Sequence, residues 1–156
     1  MSRSAPISRF LPDEAATAAL GASWAASLGA PLVVYLSGDL GAGKTTFTRG
    51  LLRGLGHSGA VKSPTYAIVE SYPLAALTLH HFDLYRFGSP EEWEDAGLDE
   101  LFDDNSVCLI EWPQQAAGFV PPADLTVALG HAETGRMCTL TAHTHQGKKS
   151  LEAWLN

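Results

Sequence analysis

Gly38-Asp39-Leu40-Gly41-Ala42-Gly43-Lys44-Thr45 fits Gly-x-x-x-x-Gly-Lys-Thr, the phosphate-loop pattern, at every fixed position. The pattern needs a strand before it and a helix after it, and both are legible. Leu32-Val33-Val34-Tyr35-Leu36 is a short apolar run rich in β-formers, which predicts a buried strand. From Lys44 to Leu55, Phe47, Leu51 and Leu55 recur every fourth residue and mark one face of a helix. Within the loop, Gly38, Gly41 and Gly43 let the backbone turn tightly and bring its N–H groups around a phosphate. The helix start adds orphan donors and a positive dipole end. In this pattern Lys44 reaches the β- and γ-phosphates, and the Thr45 hydroxyl binds Mg²⁺.

The chain of 156 residues is expected to form one domain, residues 1–156, with a full core. Its 46% apolar and 17% charged residues exclude a disordered chain. A net charge of −7 argues against direct, broad contact with nucleic-acid phosphates. Cys108 and Cys138 sit in apolar runs without metal-type spacing and read as buried thiols in a reducing compartment. No signal-peptide core and no span-length apolar stretch is visible, so the expectation is a soluble cytoplasmic protein without membrane contact.

Other elements follow in order. Ala5 to Phe10 suits an edge strand, and Pro12-Asp13-Glu14 opens a helix whose Leu20, Trp24 and Leu28 would pack on the sheet, with Gly29 and Pro31 ending it. Lys62 to Tyr66 is a turn into a strand from Ala67 to Tyr72, and Leu77 to Phe82 is a second strand ending at Asp83. Ser89-Pro90-Glu91-Glu92 starts a helix that breaks near Gly97. Val107 to Ile110 is a buried strand of parallel type. Leu125, Val127 and Leu129 alternate, as do Cys138, Leu140 and Ala142, which predicts a late antiparallel pair, and Leu151, Trp154 and Leu155 suit a closing helix. The fold class is therefore α/β: a mainly parallel sheet of P-loop NTPase type flanked by helices, with antiparallel strands added near the C-terminus.

A phosphate loop binds, whereas hydrolysis also needs acids to hold Mg²⁺ and orient water. Glu111 ends an apolar strand in the Walker-B manner, at the sheet edge where nucleotides sit in α/β folds; the bland alternative is a solvated strand-end acid. Asp83 follows Leu79-His80-His81-Phe82 in the same way, with a turn acid as the alternative. Thr65 is placed either to sense a γ-phosphate or merely to form a turn. Arg86 reads as a transition-state arginine or as a surface ion pair. His80 and His81 have no partner at ligand spacing, which argues against a metal there. Trp112 suits packing, a nucleotide or a partner. Neither Asn/Thr-Lys-x-Asp nor Asp-x-x-Gly occurs, so ATP is expected rather than GTP, and no arginine-rich lid of a small-molecule kinase is present.

Four segments occur in order: Gly38 to Phe47, Lys62 to Tyr66, His81 to Arg86, and Glu111-Trp112-Pro113. Together they resemble the bacterial TsaE (YjeE) family of small P-loop ATPases across nearly the whole chain, most weakly after about Gly118. The resemblance implies a part in making N6-threonylcarbamoyladenosine in tRNA: binding ATP or ADP with Mg²⁺, docking on the TsaB–TsaD heterodimer, and hydrolysing ATP to support its turnover. The tRNA would be reached only through those partners. By the same resemblance Thr45 and Glu111 match Mg²⁺ ligands, Leu40 to Thr45 the phosphate cradle with Thr46 adjoining it, and Glu14 a nucleotide contact. The roles of Asp83 and Trp112 are implied less firmly. A module that uses ATP as a structural ligand remains the alternative, and two acids at strand ends favour the hydrolase.

Overall fold

The computed structural model describes residues 5–39 and 41–156. The strands are β1 (Ile7–Leu11), β2 (Leu32–Ser37), β3 (Val69–Pro73), β4 (Thr78–Asp83), β5 (Ser106–Glu111), β6 (Leu125–Ala132) and β7 (Gly135–Ala142). The helices are α1 (Glu14–Trp24), α2 (Lys44–Gly54), α3 (Glu92–Asp95) and α4 (His145–Leu155). One sheet of seven strands runs in the order β1-β7-β6-β2-β5-β4-β3. Its centre is parallel, from β6 through β2 and β5 to β4, and the continuous apolar runs of β2 and β5 suit strands covered on both faces. Antiparallel strands close both flanks, β7 and β1 on one side and β3 on the other. The fold class read from the sequence is the one observed, with two more antiparallel pairs, β1–β7 and β3–β4, than the late hairpin alone supplied.

Strand alternation divides the core in two. Val34 and Leu36 of β2 and Val107 and Leu109 of β5 face α1, α2 and α4. Cys108 and Ile110 of β5 face the other way, against Phe82, Trp93 and Leu98. On the helical side Trp154 of α4 stacks on Trp24 of α1 with centroids 4.3 Å apart, and both rings contact Phe47 of α2. Asp124 ties the layers together: its carboxylate accepts from the Val33 N–H at 2.9 Å and from the Thr144 hydroxyl at 2.8 Å. Among the described residues no helix is long and apolar enough to cross a membrane.

The helices differ from expectation in instructive ways. α1 ends at Trp24, before Leu28, so its contact surface is shorter than the i, i+4, i+8 pattern suggested. Small residues set that surface: a Cβ on Gly50 would lie 2.1 Å from the Ala18 carbonyl oxygen, and one on Gly21 would lie 2.3 Å from that of Phe47. α1 and α2 therefore touch backbone to backbone. The segment opened by Ser89 yields the four-residue α3: its Glu92 carboxylate turns back to the Gly88 and Ser89 N–H groups at the start, and Gly97 in the left-handed region stops it. The strand expected from Ala67 begins at Val69; Ile68, at φ 71, first closes a turn by donating its N–H to the Pro64 carbonyl at 2.7 Å.

Two predictions follow from this packing. Gly50→Ala should destabilise the protein by about 1–3 kcal/mol in urea unfolding, because overpacking at a backbone contact outweighs the roughly 1 kcal/mol helix-propensity gain of alanine over glycine. A stability gain would show that the two helices are free to separate. Burial pushes both the Cys108 and the Cys138 thiols up to about 12. At pH 8 neither should react with a disulfide reagent until denaturant is added, since the thiolate is the nucleophile.

Candidate functional site

β2 is the central strand, and the chain leaves it at Ser37 between β5 and β6. Gly38 makes the exit at φ 147, where a Cβ would lie 2.3 Å from the Leu129 carbonyl oxygen of β6. No other residue fits that position. Gly43, at φ 105, occupies the N-cap of α2, and no side chain caps the helix. The first-turn N–H groups of α2 thus face the cleft without an intrahelical partner. Ala42 is fully buried and holds the loop against the core. Leu40 lies outside the described residues.

The loop forms one wall of a cleft of about 660 Å³ at the C-terminal ends of the parallel strands. Gly41, Gly43, Lys44, Thr45 and Thr46 line it, as do Glu14, Thr65, Asp83, Glu111 and Trp112. They come from the glycine loop and α2, from α1, from the turn before β3, and from the ends of β4 and β5. Asp13 caps α1 by accepting from the Ala16 N–H at 2.8 Å, which sets Glu14 at the mouth, where it accepts from the Thr46 hydroxyl at 3.5 Å. Asp83 and Glu111 end adjacent parallel strands and are partners in register.

The two acids are satisfied differently. Asp83 accepts from the Tyr85 N–H at 3.0 Å and from the Thr65 hydroxyl at 3.2 Å, and Thr65 also bonds Ser63 at 2.8 Å. Glu111 meets the Lys44 ammonium at 3.2 Å and the His81 Nε2 at 2.6 Å. Burial alone would raise the Glu111 carboxyl, but the hydrogen bond and charge of His81, together with Lys44, outweigh it and hold it below the usual carboxylate value. Lys44 also lies over the Trp112 ring, 5.1 Å from its centroid. Two non-glycine residues here adopt left-handed backbone: Trp112 at φ 60, directly after Glu111, and Ile68 at φ 71, whose carbonyl accepts from the Asp83 N–H at 2.8 Å. Such strain, of order 1–3 kcal/mol each, persists only where neighbours over-determine it.

The structure adds residues that sequence reasoning passed over. His81 is a partner of Glu111, and its signal was position: it stands two residues before Asp83 on β4, hence on the same face. Arg136, at the start of β7, donates to the Gly41 carbonyl at 3.0 Å across 95 residues of sequence, a contact no local pattern announces. Arg86 lines the cleft with its guanidinium over the Tyr66 ring, 4.3 Å from the centroid, which fits neither reading exclusively. Among the described residues no group of three or more His, Cys, Asp and Glu is gathered as a ready metal site.

A glycine loop between a central parallel strand and a helix, with acids at the next two strand ends, defines an α/β protein whose sheet is of P-loop NTPase type. A family model described as threonylcarbamoyl adenosine biosynthesis protein TsaE matches residues 11–138. This chain belongs to the TsaE family. It is 43% identical over 155 residues to the tRNA threonylcarbamoyladenosine biosynthesis protein TsaE of Haemophilus influenzae, covering 96% of this chain and 98% of that protein. The protein of the same name from Bacillus subtilis is 44% identical over 111 residues, 70% of this chain and 69% of its own length. Among solved structures, the crystal structure of Bacillus subtilis YdiB superposes with a TM-score of 0.82 at 31% identity, covering 97% of this chain and 95% of that one.

The Lys44–Glu111 pair yields a thermodynamic prediction. Removing one partner strands a buried charge, so Lys44→Ala and Glu111→Ala should each cost about 1–3 kcal/mol in the ligand-free protein. The double variant should cost less than their sum, with a coupling of at least ~0.5 kcal/mol by chemical denaturation. Additive losses would mean that the ion pair contributes no specific coupling.

Proposed function

We propose that this protein is the ATP-binding and ATP-hydrolysing member of the machinery that makes threonylcarbamoyladenosine in tRNA, docking on a TsaB–TsaD heterodimer and supporting its turnover. Family membership supports the pathway, and the names of the relatives speak of that biosynthesis. The observation that carries the ATPase reading is the meeting of Lys44 and Glu111, 3.2 Å apart beside the uncapped start of α2. A loop lysine and a strand-end carboxylate converge where the N–H groups of the helix start would cradle a phosphate.

The cleft volume lies within the range of small-ligand sites. On binding, Lys44 would exchange the Glu111 carboxylate for phosphate oxygens. The freed Glu111, already held in its ionised form, and the exposed Thr45 hydroxyl supply the hard oxygen donors that suit Mg²⁺. Mg²⁺, when bound, neutralises charge on the β- and γ-phosphates. Asp83 is the group left to orient water, being buried, next in register to Glu111, and tethered by Tyr85 and Thr65. Glu14 and Arg136 flank the loop at the other end of the cleft, beside Thr46 and Gly41, where they would meet the nucleoside.

With a net charge of −7, contact with tRNA would run through the partners, consistent with a cytoplasmic assembly. Thr65, bonded to Asp83, is the candidate link between phosphate occupancy and docking.

The test is ATP turnover with and without TsaB–TsaD. Turnover should be low for the protein alone and rise with the partners, and Glu111→Ala should cut it by about a hundredfold or more while nucleotide binding remains measurable. Binding without any turnover under either condition would reduce the protein to a nucleotide-dependent assembly module. Unchanged ATP affinity in Lys44→Ala by calorimetry would overturn the phosphate-loop reading itself.

A further inference from the structure

Away from the cleft, β3 forms an open edge of the sheet, paired among the described residues with β4 alone. Leu74 donates its N–H to Leu77 at 2.9 Å, and Asp83 donates to Ile68 at 2.8 Å. Hydrogen-bonded and non-hydrogen-bonded pairs alternate along an antiparallel ladder, so these two bonds make Ser71 and His80 a non-hydrogen-bonded pair. Two consequences follow for Ser71. Its side chain lies close to His80, with Oγ and Nδ1 2.6 Å apart. Its own N–H points away from β4, toward the open edge, on a residue that is exposed.

The protons along this group can be placed by counting donors. Asp103 is held ionised by its hydrogen bonds from Ser106 and the Asn105 N–H, and so only accepts. Ser106 therefore gives its hydroxyl proton to Asp103, at 2.7 Å. The Ser106 oxygen, 3.3 Å from His80 Nε2, then accepts from that nitrogen, so the Nε2 carries the ring proton. Nδ1 is left bare and must accept from the Ser71 hydroxyl. Burial, partly opposed by the Asp103 charge, lowers the His80 pKa and keeps the ring neutral at pH 7. The chain Ser71–His80–Ser106–Asp103 is thus directed: an exposed serine, a buried imidazole turned to take its proton, and an ionised acid fixing the tautomer.

We propose that Ser71 is a nucleophilic serine, with His80 as its general base, that takes an acyl group from small uncharged esters. The Ser71 oxygen bonds to the ester carbonyl carbon as its proton passes to His80 Nδ1. The carbon–oxygen bond to the leaving group then breaks, and His80 returns the proton to the departing alcohol or phenol. O-acyl-Ser71 and the free alcohol result, with His80 neutral again. The Ser71 N–H offers a donor to the developing oxyanion, as a nucleophilic serine's own N–H does in Ser-His-Asp hydrolases. The acid at Asp103 adjoins the site and disfavours anionic donors. Nothing in this step uses the nucleotide cleft.

The test treats the whole protein with p-nitrophenyl acetate and maps acetylated serines by peptide mass spectrometry over time. Ser71 should be acetylated at least about tenfold faster than the exposed Ser89, because a positioned base accelerates such transfer a hundredfold or more. His80→Gln should erase the excess, and Asp103→Asn, at an exposed position that tolerates change, should reduce it severalfold. Ser71→Ala should lose the label with ATP affinity unaltered, which separates this result from the fate of the nucleotide reading. Equal rates at Ser71 and Ser89, or an excess that survives both His80→Gln and Asp103→Asn, would overturn the proposal.

Discussion

Two carboxylates that end neighbouring parallel strands in register repel each other, and much of this molecule is arranged around that fact. At the usual strand spacing of about 4.8 Å, two such charges cost roughly 3 kcal/mol at the effective dielectric of a protein. Asp83 and Glu111 stand in this relation and are both buried. The structure answers by giving them different partners. Glu111 receives the Lys44 ammonium and His81, whereas Asp83 receives a backbone N–H and the Thr65 hydroxyl. The loop lysine is consequently fixed by the sheet edge as much as by its own glycine turn.

The helical layer positions the other side of the cleft. Because Gly21 and Gly50 have no side chains, α1 lies on α2 at backbone distance, and Asp13 fixes where α1 begins. Glu14 reaches Thr46 through that geometry. A change at Gly50 therefore acts on the Glu14 end of the cleft without touching it. Arg136 adds a second tether, holding the Gly41 carbonyl from the β6–β7 hairpin.

What could be read from the sequence was what is local. Leu32 to Leu36, the glycine loop and the spacing of Phe47, Leu51 and Leu55 specify strand, turn and helix within some twenty residues, and that unit was legible whole. Glu111 and Asp83 were legible as strand-end acids because apolar runs precede them. Their being partners in register was not, since register is set by how β4 and β5 align through burial on both faces. The contact of α1 with α2 was missed because glycines carry no hydrophobic signal: periodicity pointed to Leu20, Trp24 and Leu28, while Ala18, Gly21 and Gly50 make the approach. The short helix after Ser89 was legible at both ends, because its start signal lies at Ser89 and Gly97 stops it within a turn.

The stacking of Trp24 on Trp154 and the Trp154 indole N–H donating to the Ser23 hydroxyl at 2.9 Å join positions 130 and 131 residues apart. During synthesis at the ribosome, the ring that covers Phe47 is made more than a hundred residues after it. Until then the apolar face of α2 lacks part of its cover. With chain growth of some 5–20 residues per second, that interval lasts several seconds or more, long enough for a chaperone to engage the unfinished domain.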